Sequence, residues 1–392
     1  MEPGKEPAQL PLFFNTREHW GRLIASSAAR SVRLAAGWMP FLSEADARLE
    51  SKVEAALSSR NWAGLIGQFY ASHHPLLERL CAAGIPVVNV SSEPPPPAVG
   101  WVHCDDFACG VMAARHFLER GYRHFAFLGM GEARFSAERK RGFVETLASE
   151  GLTNVRLLDD GICGEGDVAN RLAGGLHELP KPVAVFACND VRARHCLLAA
   201  KNAEIAVPET LAILGVDDDE LQCNIAWIAL SSVSPNWTGI GERAVEHLMR
   251  VVRTGSDPGR HEALAPVSVS VRQSTDHLAV EDPLAARTLH GLRARAAERL
   301  TVSTIAAELG VSLRTLERHM RQTMGLSVHT AIQNARLQRA YTMIAETRLP
   351  IGEIAAELGF SKQSHFNAAF KKRFERTPTS VRRWKLKKTS SL

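Results

Sequence analysis

The pattern of apolar and polar positions divides the chain into two parts. Up to about residue 275, short apolar runs alternate with longer amphipathic stretches, which predicts strands separated by helices. Continuous apolar strands between helices are typical of parallel sheets that are covered on both faces. The predicted strands are 10–15, 32–37, 64–69, 86–90, 101–105, 124–129, 155–158, 183–187 and 211–216, with helices such as 107–120, 137–150 and 191–203 between them.

The strands form two groups, before and after about residue 110, so we expect an α/β fold with two lobes. Ligands of such folds bind at the carboxyl ends of the parallel strands, so polar residues that follow strands are candidate ligand contacts. For Asp105 and Asp217 a second role stays open, because Asp after a strand also commonly caps the next helix. The candidate contacts are Asn15, Asp105, Asn189, Asp190 and Asp217.

After residue 276 the alternation stops and an all-helical pattern begins. Asp282 followed by Pro283 is typical of a helix N-cap and the first helical position. We therefore predict a two-lobed sensing domain over 1–275, a linker over 276–282 and an all-α domain over 283–392.

The helical part contains an internal repeat, in which VSTIAAELG at 302–310 recurs as IGEIAAELG at 351–359. Four apolar positions of each copy share one helix face, and the final glycine stands where a helix end needs a positive φ. Ser312 or Ser361 follows as a candidate N-cap of a second helix. Helix, glycine turn and capped helix together predict a helix-turn-helix, whose second helix enters the DNA major groove.

A long helical pattern over 327–346 separates the two copies. At 1.5 Å per residue it spans roughly 30 Å, close to the ~34 Å between successive major-groove faces. One chain is therefore expected to present two recognition helices to double-stranded DNA, on tandem half-sites. The alternative is a plain helical repeat without a DNA partner.

The charge distribution favours DNA. Residues 283–392 contain 20 Lys and Arg against 7 Asp and Glu, a net charge of +13, whereas residues 1–282 carry −8. A basic domain beside an acidic body is the electrostatic footprint of a nucleic-acid-binding protein.

Residues 283–392 resemble the double helix-turn-helix domain of the AraC/XylS regulators. The resemblance is most specific in IAAELGF at 354–360, in the pair Phe366 and Phe370 before two lysines, and in the Thr-Pro step at 377–378. The chain departs from the family at Ala368, where Arg or Lys is frequent, and at Val381, where an aromatic residue is frequent. The first departure removes the usual base contact of the second recognition helix.

Outward residues in the first turns of each recognition helix are the expected base readers. Arg bonds guanine bidentately, Asn and Gln bond adenine, and Glu accepts from cytosine, whereas contacts to phosphates only position the protein. The expected base readers are Arg314, Glu317, Arg318, Lys362, Gln363 and Asn367, and the expected phosphate contacts are Arg321, Lys371, Lys372 and Arg382.

Several stretches between 100 and 250 resemble the sugar-sensing domain of the LacI/GalR repressors, which is similar to periplasmic sugar-binding proteins. They include 102–110, 121–129, 139–143, 186–190 and 207–218. The resemblance implies a small sugar effector, a pentose such as xylose, and sugar contacts at Asp105, Arg139, Asn189 and Asp217. Carboxylates accept hydroxyl hydrogens and Arg donates in a planar fork, which suits a sugar.

These features predict a cytoplasmic, sugar-responsive transcription regulator that activates pentose catabolism genes and acts as a homodimer, with RNA polymerase as a further partner. The alternative is a sugar-binding protein associated with transport or signalling, against which the basic tail and the missing signal peptide argue. We expect no enzyme activity, metal or cofactor, because the sequence shows no catalytic or metal-ligand spacing. The seven cysteines are scattered and odd in number, which favours free thiols in a reducing compartment.

Overall fold

The computed structural model describes residues 8–35, 37–44, 49–59, 62–158, 165–255, 261–280, 282–296, 298, 300–347, 349–374 and 377–382. Cys163 and the end of the predicted tail domain, 383–392, lie outside the described residues. The six described cysteines are free thiols, and five of them are buried. None of the described helices combines the length and apolar composition that crossing a membrane requires.

The strands form two six-stranded sheets. Their bounds are β1 Gln9–Phe14, β2 Met39–Glu44, β3 Leu65–Gly67, β4 Val87–Asn89, β5 Gly100–Cys104, β6 His124–Leu128, β7 Val155–Leu158, β8 Val183–Ala187, β9 Leu211–Val216, β10 Ser231–Ser234, β11 His261–Leu264 and β12 Ser268–Ser270. Lobe 1 has the strand order β11-β5-β4-β3-β1-β2, and lobe 2 has the order β12-β10-β9-β8-β6-β7. All described pairs are parallel except β10 with β12.

Helices cover both sheets and build the tail. In the lobes they are α1 His19–Ala35, α2 Leu49–Ser59, α3 His74–Ala82, α4 Asp106–Leu118, α5 Arg134–Ser149, α6 Glu165–His177, α7 Asp190–Asn202, α8 Glu220–Asn224 and α9 Trp237–Thr254. In the tail they are α10 Pro283–Ala294, α11 Val302–Glu308, α12 Leu313–Met324, α13 Val328–Glu346, α14 Ile351–Glu357 and α15 Gln363–Phe374, and residues 378–382 are helical as well.

The chain crosses between the lobes three times. The first crossing joins β5 to α4, which packs on α5 in lobe 2, and the second joins β10 to α9, which packs on α1 in lobe 1. The third crossing, residues 265–267, joins β11 to β12. The two-lobed α/β fold followed by a helical tail is therefore confirmed, with three connections between the lobes.

Three differences from the sequence prediction concern strands. Residues 32–35 are helical, because they complete the apolar face of α1, where Val32 is fully buried. The strand β2 was not predicted, and it is an edge strand whose side chains remain largely exposed. The strand β10 is a run of serines and one valine, so it lacks the apolar pattern that predicts a buried strand.

The tail follows the predicted helix-turn-helix repeat. Gly310 and Gly359 have φ of +70° and +82°, as the turn requires. Ser312 caps α12 by accepting a hydrogen bond from the backbone N–H of Thr315 at 3.1 Å. The predicted cap at Ser361 is wrong by one residue, because the carbonyl of the next residue accepts the first helical hydrogen bond of α15.

Candidate functional site

A cleft between the lobes holds a cavity of about 320 Å³. It opens where parallel strands end and where the first and second crossings begin, as expected for a ligand site of this fold. Lobe 1 and the crossings contribute Asn15, Glu18, His19, Trp20, Gln68, Tyr70, Val90, Ser91, Ser92, Glu93, Cys104 and Trp237, and lobe 2 contributes Asp106, Met130, Ala133, Phe135, Arg139, Asn189, Asp190, Val191, Asp217, Asp219 and Gln222.

Two glycines let α4 and α5 approach closely beside the cleft. A Cβ at Gly110 would lie 2.0 Å from the carbonyl oxygen of Arg139, and a Cβ at Gly142 would lie 2.0 Å from that of Phe107. Because no residue larger than glycine fits at these two helix contacts, the first turn of α4 lies directly against α5. Asp106 on α4 and Arg139 on α5 consequently come into contact.

Arg139 is the central cation of the cleft, with a side chain only 4% exposed. Its Nε donates to Oδ1 of Asp106 at 2.8 Å, and its Nη1 donates to the carbonyl oxygen of Cys188 at 2.5 Å. The same Nη1 lies 3.6 Å from Oδ1 of Asp217, and the guanidinium carbon lies 5.0 Å from the centre of the Phe135 ring. The arrangement joins two carboxylates and one guanidinium in a row, in which Asp106 and Arg139 are buried and Asp217 is partly exposed to the cavity.

Burial perturbs the titration of these groups. It raises the pKa of Asp217 to about 7, although the nearby Arg139 acts in the opposite direction. Burial also raises the pKa of Asp106, again opposed by Arg139. For Arg139 burial alone would lower the pKa, but the carboxylates of Asp106 and Asp217 raise it well above its usual range, so the guanidinium stays charged.

The loop after β9 carries Asp217 in an unusual backbone conformation, with φ of +119°, followed by Asp218 with φ of +52°. The buried carboxylate of Asp190 holds this loop, because it accepts from the backbone N–H of Asp219 at 2.9 Å and from Oγ of Ser232 at 2.6 Å. Burial, reinforced by the charge of Asp217, raises the pKa of Asp190. Strained backbone of this kind is typical of functional sites.

The structure distinguishes the two roles that the sequence left open. Asp105 caps α4, with Oδ1 accepting from the N–H of Ala108 at 2.9 Å, and it lines a different cavity, between lobe 2 and the tail. Its neighbour Asp106 lines the cleft instead. The cap of α8 is Asp219, which accepts from the N–H of Leu221, so Asp217 is left to face the cavity.

The remaining predicted contacts lie at the cleft. Asn189 caps α7 by accepting from the N–H of Arg192 at 2.9 Å, and it lines the cavity as well. Asn15 accepts from the N–H of Arg17 at 3.1 Å, at the end of β1. The predicted residues other than Asp105 are therefore brought together around one cavity.

On the lobe 1 wall of the cleft the sequence predicted only Asn15 as a contact. Trp20 and Trp237 pack with ring centroids 5.7 Å apart, and the indole N–H of Trp237 donates to the carbonyl oxygen of Asp217 at 3.3 Å. Gln68 follows β3 and contacts both Asn15 and Tyr70. The predicted strand ended at residue 69, whereas β3 ends at Gly67. With the observed end, Gln68 would have been a polar residue that follows a strand, and so a candidate contact.

One buried group of the described residues presents metal-ligating atoms together. The thiols of Cys104 and Cys109 and the carboxylate of Asp106 lie within 4.8 Å of one another. A cation there would compete with Arg139, which already donates to Asp106. The hydrogen bond with Cys109, together with burial, raises the pKa of the Cys104 thiol, so the group favours neutral thiols over a metal ion.

The first recognition helix, α12, presents Arg314 and Arg318 to solvent. Glu317 differs from its predicted role as a base reader, because its carboxylate is already engaged within the tail. It accepts from the N–H of Val328 at 3.0 Å, at the start of α13, and from Nε of Arg321 at 3.2 Å. Glu317 therefore ties α12 to α13, with Arg321 as its ion-pair partner.

The second recognition helix, α15, exposes Gln363, Lys371 and Lys372, and Lys362, just before its first residue, is exposed as well. Asn367 is only partly exposed, and its Oδ1 is buried without a hydrogen-bond partner among the described atoms. The amide oxygen of Asn367 therefore faces the interior of the tail, so this side chain is less available to contact a base.

Comparisons with known proteins agree with both parts of the chain. A periplasmic binding protein-like domain matches residues 114–275, and a helix-turn-helix domain matches residues 305–383. The xylose operon regulatory protein of Escherichia coli K12 is 28% identical over 387 residues, covering 95% of this chain and 96% of the relative. The protein of the same name from Haemophilus influenzae is 30% identical over 293 residues, covering 73% of this chain and 75% of the relative.

A solved structure of a xylose-binding transcription activator covers 96% of this chain and 98% of its own, with 26% identity and a TM-score of 0.61. The match therefore includes the sensor and the tail together. The chain belongs to the family of xylose operon regulatory proteins, sugar-responsive transcription regulators that join a LacI/GalR-type periplasmic-binding-protein-like sensor to an AraC/XylS-type double helix-turn-helix domain.

Proposed function

We propose that the cleft binds one neutral pentose, with xylose as the first candidate, and that this binding changes how the tail engages DNA and activates transcription. The observation that carries the proposal is the row of Asp106, Arg139 and Asp217 beside the Trp20 and Trp237 rings. Carboxylates accept hydroxyl hydrogens and the guanidinium donates, while the rings supply apolar area. The names of the relatives add xylose as the sugar.

The charge of the cleft favours a neutral sugar over a phosphorylated one. One guanidinium, that of Arg139, stands against six carboxyl groups and already pairs with Asp106 and Asp217, so a phosphate would find no unpaired Lys or Arg among the described lining residues. The volume of about 320 Å³ lies near the lower end of the roughly 300–1,000 Å³ typical of small-molecule sites, which suits a single sugar ring. The six carboxyl groups belong to Glu18, Glu93, Asp106, Asp190, Asp217 and Asp219.

Within the cleft we assign direct sugar contacts to Asn15, Asp106, Arg139, Asn189 and Asp217. Asp190 has an indirect role, because its carboxylate holds the loop that carries Asp217. Asp105 is not included in this proposal, since it caps α4 at the other cavity.

For the tail we propose base reading by exposed side chains in the first turns of α12 and α15. Arg314 and Arg318 suit guanine, and Gln363 suits adenine. Lys371 and Lys372, near the end of α15, suit phosphates. The working unit is a homodimer on tandem half-sites, with domains bounded at 1–275 and 283–392 and with RNA polymerase as a partner in activation.

A calorimetric titration of the full chain with pentoses, hexoses and sugar phosphates tests the effector. We expect heat of binding with a neutral pentose and none with its phosphate. Fluorescence anisotropy of an operator selected from random DNA, measured with and without the same sugar, tests the response. Binding of a sugar phosphate in preference to neutral sugars, or an operator affinity that no sugar changes, would refute the proposal.

A further inference from the structure

The third lobe crossing, residues 265–267, contacts the tail through the side chain of Val267. That side chain is fully buried, and the apolar cluster around it consists otherwise of tail residues. We call this cluster the second-motif core, because it belongs to α13, α14 and α15. Its tail members are Leu337, Ala340, Tyr341, Met343, Ile344, Ile354, Ala355, Leu358, Phe366, Phe370 and Val381.

The backbone of Val267 is held on both sides. Its carbonyl oxygen accepts from the hydroxyl of Tyr341 on α13 at 3.4 Å. Its N–H donates to the carbonyl oxygen of Ser234 at 2.7 Å, at the end of β10 where the second crossing begins. One residue therefore joins two lobe crossings to the hydrophobic core of the second helix-turn-helix.

Two backbone hydrogen bonds to adjacent residues of β10 connect Val267 to the cleft. The N–H of Asp217 donates to the carbonyl oxygen of Val233 at 3.0 Å, and the adjacent Ser234 accepts from Val267. Crossings between lobes are the segments that turn when a two-lobed protein closes on its ligand. A closure around Asp217 consequently displaces Val267 and whatever packs on it.

The first helix-turn-helix is attached to the sensor differently. Its apolar cluster, built from α10 to α13, contains no residue of the lobe crossings within the part of the chain that the structure describes. On its recognition helix α12, the guanidinium of Arg123 in lobe 2 donates to the carbonyl oxygen of Thr323 at 2.8 Å, in an exposed position. A cavity of about 660 Å³ lies between lobe 2 and the tail, so the tail has room to shift relative to the sensor.

We infer that Val267 is a positioning residue that couples the effector cleft to the second recognition helix, so that sugar binding changes the reading of the second half-site more than that of the first. This inference rests on the proposed function. A ligand shifts such an equilibrium only through its differential affinity for two states. Lobe 2 also contacts α15 through the ion pair of Glu119 with Arg373 at 2.8 Å, and Val267 adds the buried apolar contact that reaches the second-motif core.

The test uses the full chain and an operator selected from random DNA. The measured quantity is the ratio of operator affinities with and without xylose, which typically lies at about 5–150-fold for coupled sites. In Val267→Ala we expect this ratio to fall toward one, by about 2–30-fold. Xylose affinity measured without DNA is expected to stay within about twofold, since Val267 does not line the cleft.

Val269→Ala is the matched control, because Val269 lies two residues away in β12 and packs on the sensor core rather than on the second-motif core. It should keep the wild-type ratio. A second wild-type measurement uses an operator with its second half-site scrambled, where the sugar effect should shrink to the level of Val267→Ala. An unchanged ratio in Val267→Ala, or an equal loss in Val269→Ala, would overturn the inference.

Amide hydrogen exchange separates this inference from the proposed function. With xylose, exchange in α14 and α15 should change more than exchange in α11 and α12, and the difference should vanish in Val267→Ala. If wild type binds no neutral pentose, the proposed function fails and exchange in Asp217→Asn replaces the sugar as the perturbation of the cleft. Equal responses of the two motifs in that variant would refute the coupling as well.

Discussion

The carboxyl group of Asp217 offers a sharp test of the cleft, through the substitution Asp217→Asn. Its pKa is raised to about 7 by burial, so the sugar-free protein holds a mixture of neutral and ionised Asp217 near neutral pH. Only the ionised form accepts with both oxygens in charge-assisted hydrogen bonds, which are stronger than neutral ones. We therefore expect sugar affinity to fall as the pH drops below 7, by up to about tenfold per pH unit.

The size of the affinity loss follows from the lost charge. A hydrogen bond to a charged group contributes about 1.5–3 kcal/mol, and about 1.4 kcal/mol corresponds to a tenfold change in Kd. Asp217→Asn should thus weaken sugar binding by roughly 10–150-fold at pH 8. The variant should also lose the pH dependence between pH 6 and 8, because the amide does not titrate.

Stability should change in the opposite sense. A carboxyl whose folded pKa of about 7 exceeds its ordinary value of 3.8 destabilises the folded state progressively as the pH rises from 3.8 to 7. Asparagine removes that ionisation, so the sugar-free variant should melt higher than wild type at pH 8 and about equally at pH 4. Asparagine also tolerates the positive φ at this position better than most residues do.

The assay is calorimetric titration at pH 6, 7 and 8 in two buffers of different ionisation enthalpy, combined with thermal unfolding. In wild type, sugar binding near pH 7 should release protons, which the buffer comparison detects. Asp105→Asn is the matched control, because Asp105 caps α4 outside the cleft and Asn caps equally well. Wild-type affinity and pH dependence in Asp217→Asn would refute the assignment.

Three further predictions concern the tail. Arg318→Ala should reduce discrimination between the operator and point-mutated operators by about 1–3 kcal/mol. Lys371→Ala should instead lower the affinity for all DNA sequences alike and reduce the slope of log affinity against log salt concentration by about one. Anisotropy titrations in which both variants lower the affinity for all sequences equally would contradict this distinction. Ala368→Arg, which restores the residue frequent in the AraC/XylS regulators, should sharpen reading of the second half-site, and an unchanged binding profile from random-DNA selection would count against that. Asp282→Ala removes the cap of α10 and the partner of His319, so it should lower the free energy of unfolding by about 1 kcal/mol at pH 7. Hydrogen bonding from the helix start lowers the pKa of Asp282, so the difference in stability from wild type should vanish only as the pH falls below 3.8. A difference in stability that is already lost at pH 5 would refute this role.

The sequence predicted the strands that are apolar throughout and sit inside a sheet. The bounds of β8 and β9 coincide with the predicted ones, because these continuous apolar runs are buried on both faces. The bounds of β7 coincide as well, although it is an edge strand in which Arg156 and Leu157 are exposed. The strand β10 was not predicted, because buried serines take the place of apolar residues there. Ser231 and Ser232 are fully buried and satisfy their hydroxyls through Arg272 and Asp190, which no local pattern announces.

Strand ends predicted the candidate site only where a residue follows its own strand, and Arg139, which lies on α5, was predicted only through the resemblance to the LacI/GalR sensors. Asp217 was found in this way, whereas the choice between Asp105 and Asp106 depends on the direction in which the first turn of α4 points. Trp20 and Trp237 come from helices more than two hundred residues apart, α1 and α9, that meet through the second crossing. Their proximity is a property of the topology, so one sequence without its fold does not reveal it.

The late position of β11 and β12 has a consequence for biosynthesis. Residues 261–270 add the last strand to both sheets, β11 beside β5 and β12 beside β10. At about 5–20 residues per second, β11 leaves the ribosome roughly 10–30 s after β5, and until then each sheet keeps an open edge that is able to pair with another chain. A ribosome that stalls before residue 261 therefore holds a nascent regulator with two unfinished sheets, which exposes it to chaperones and proteases. Translation speed across lobe 2 sets how long that exposure lasts.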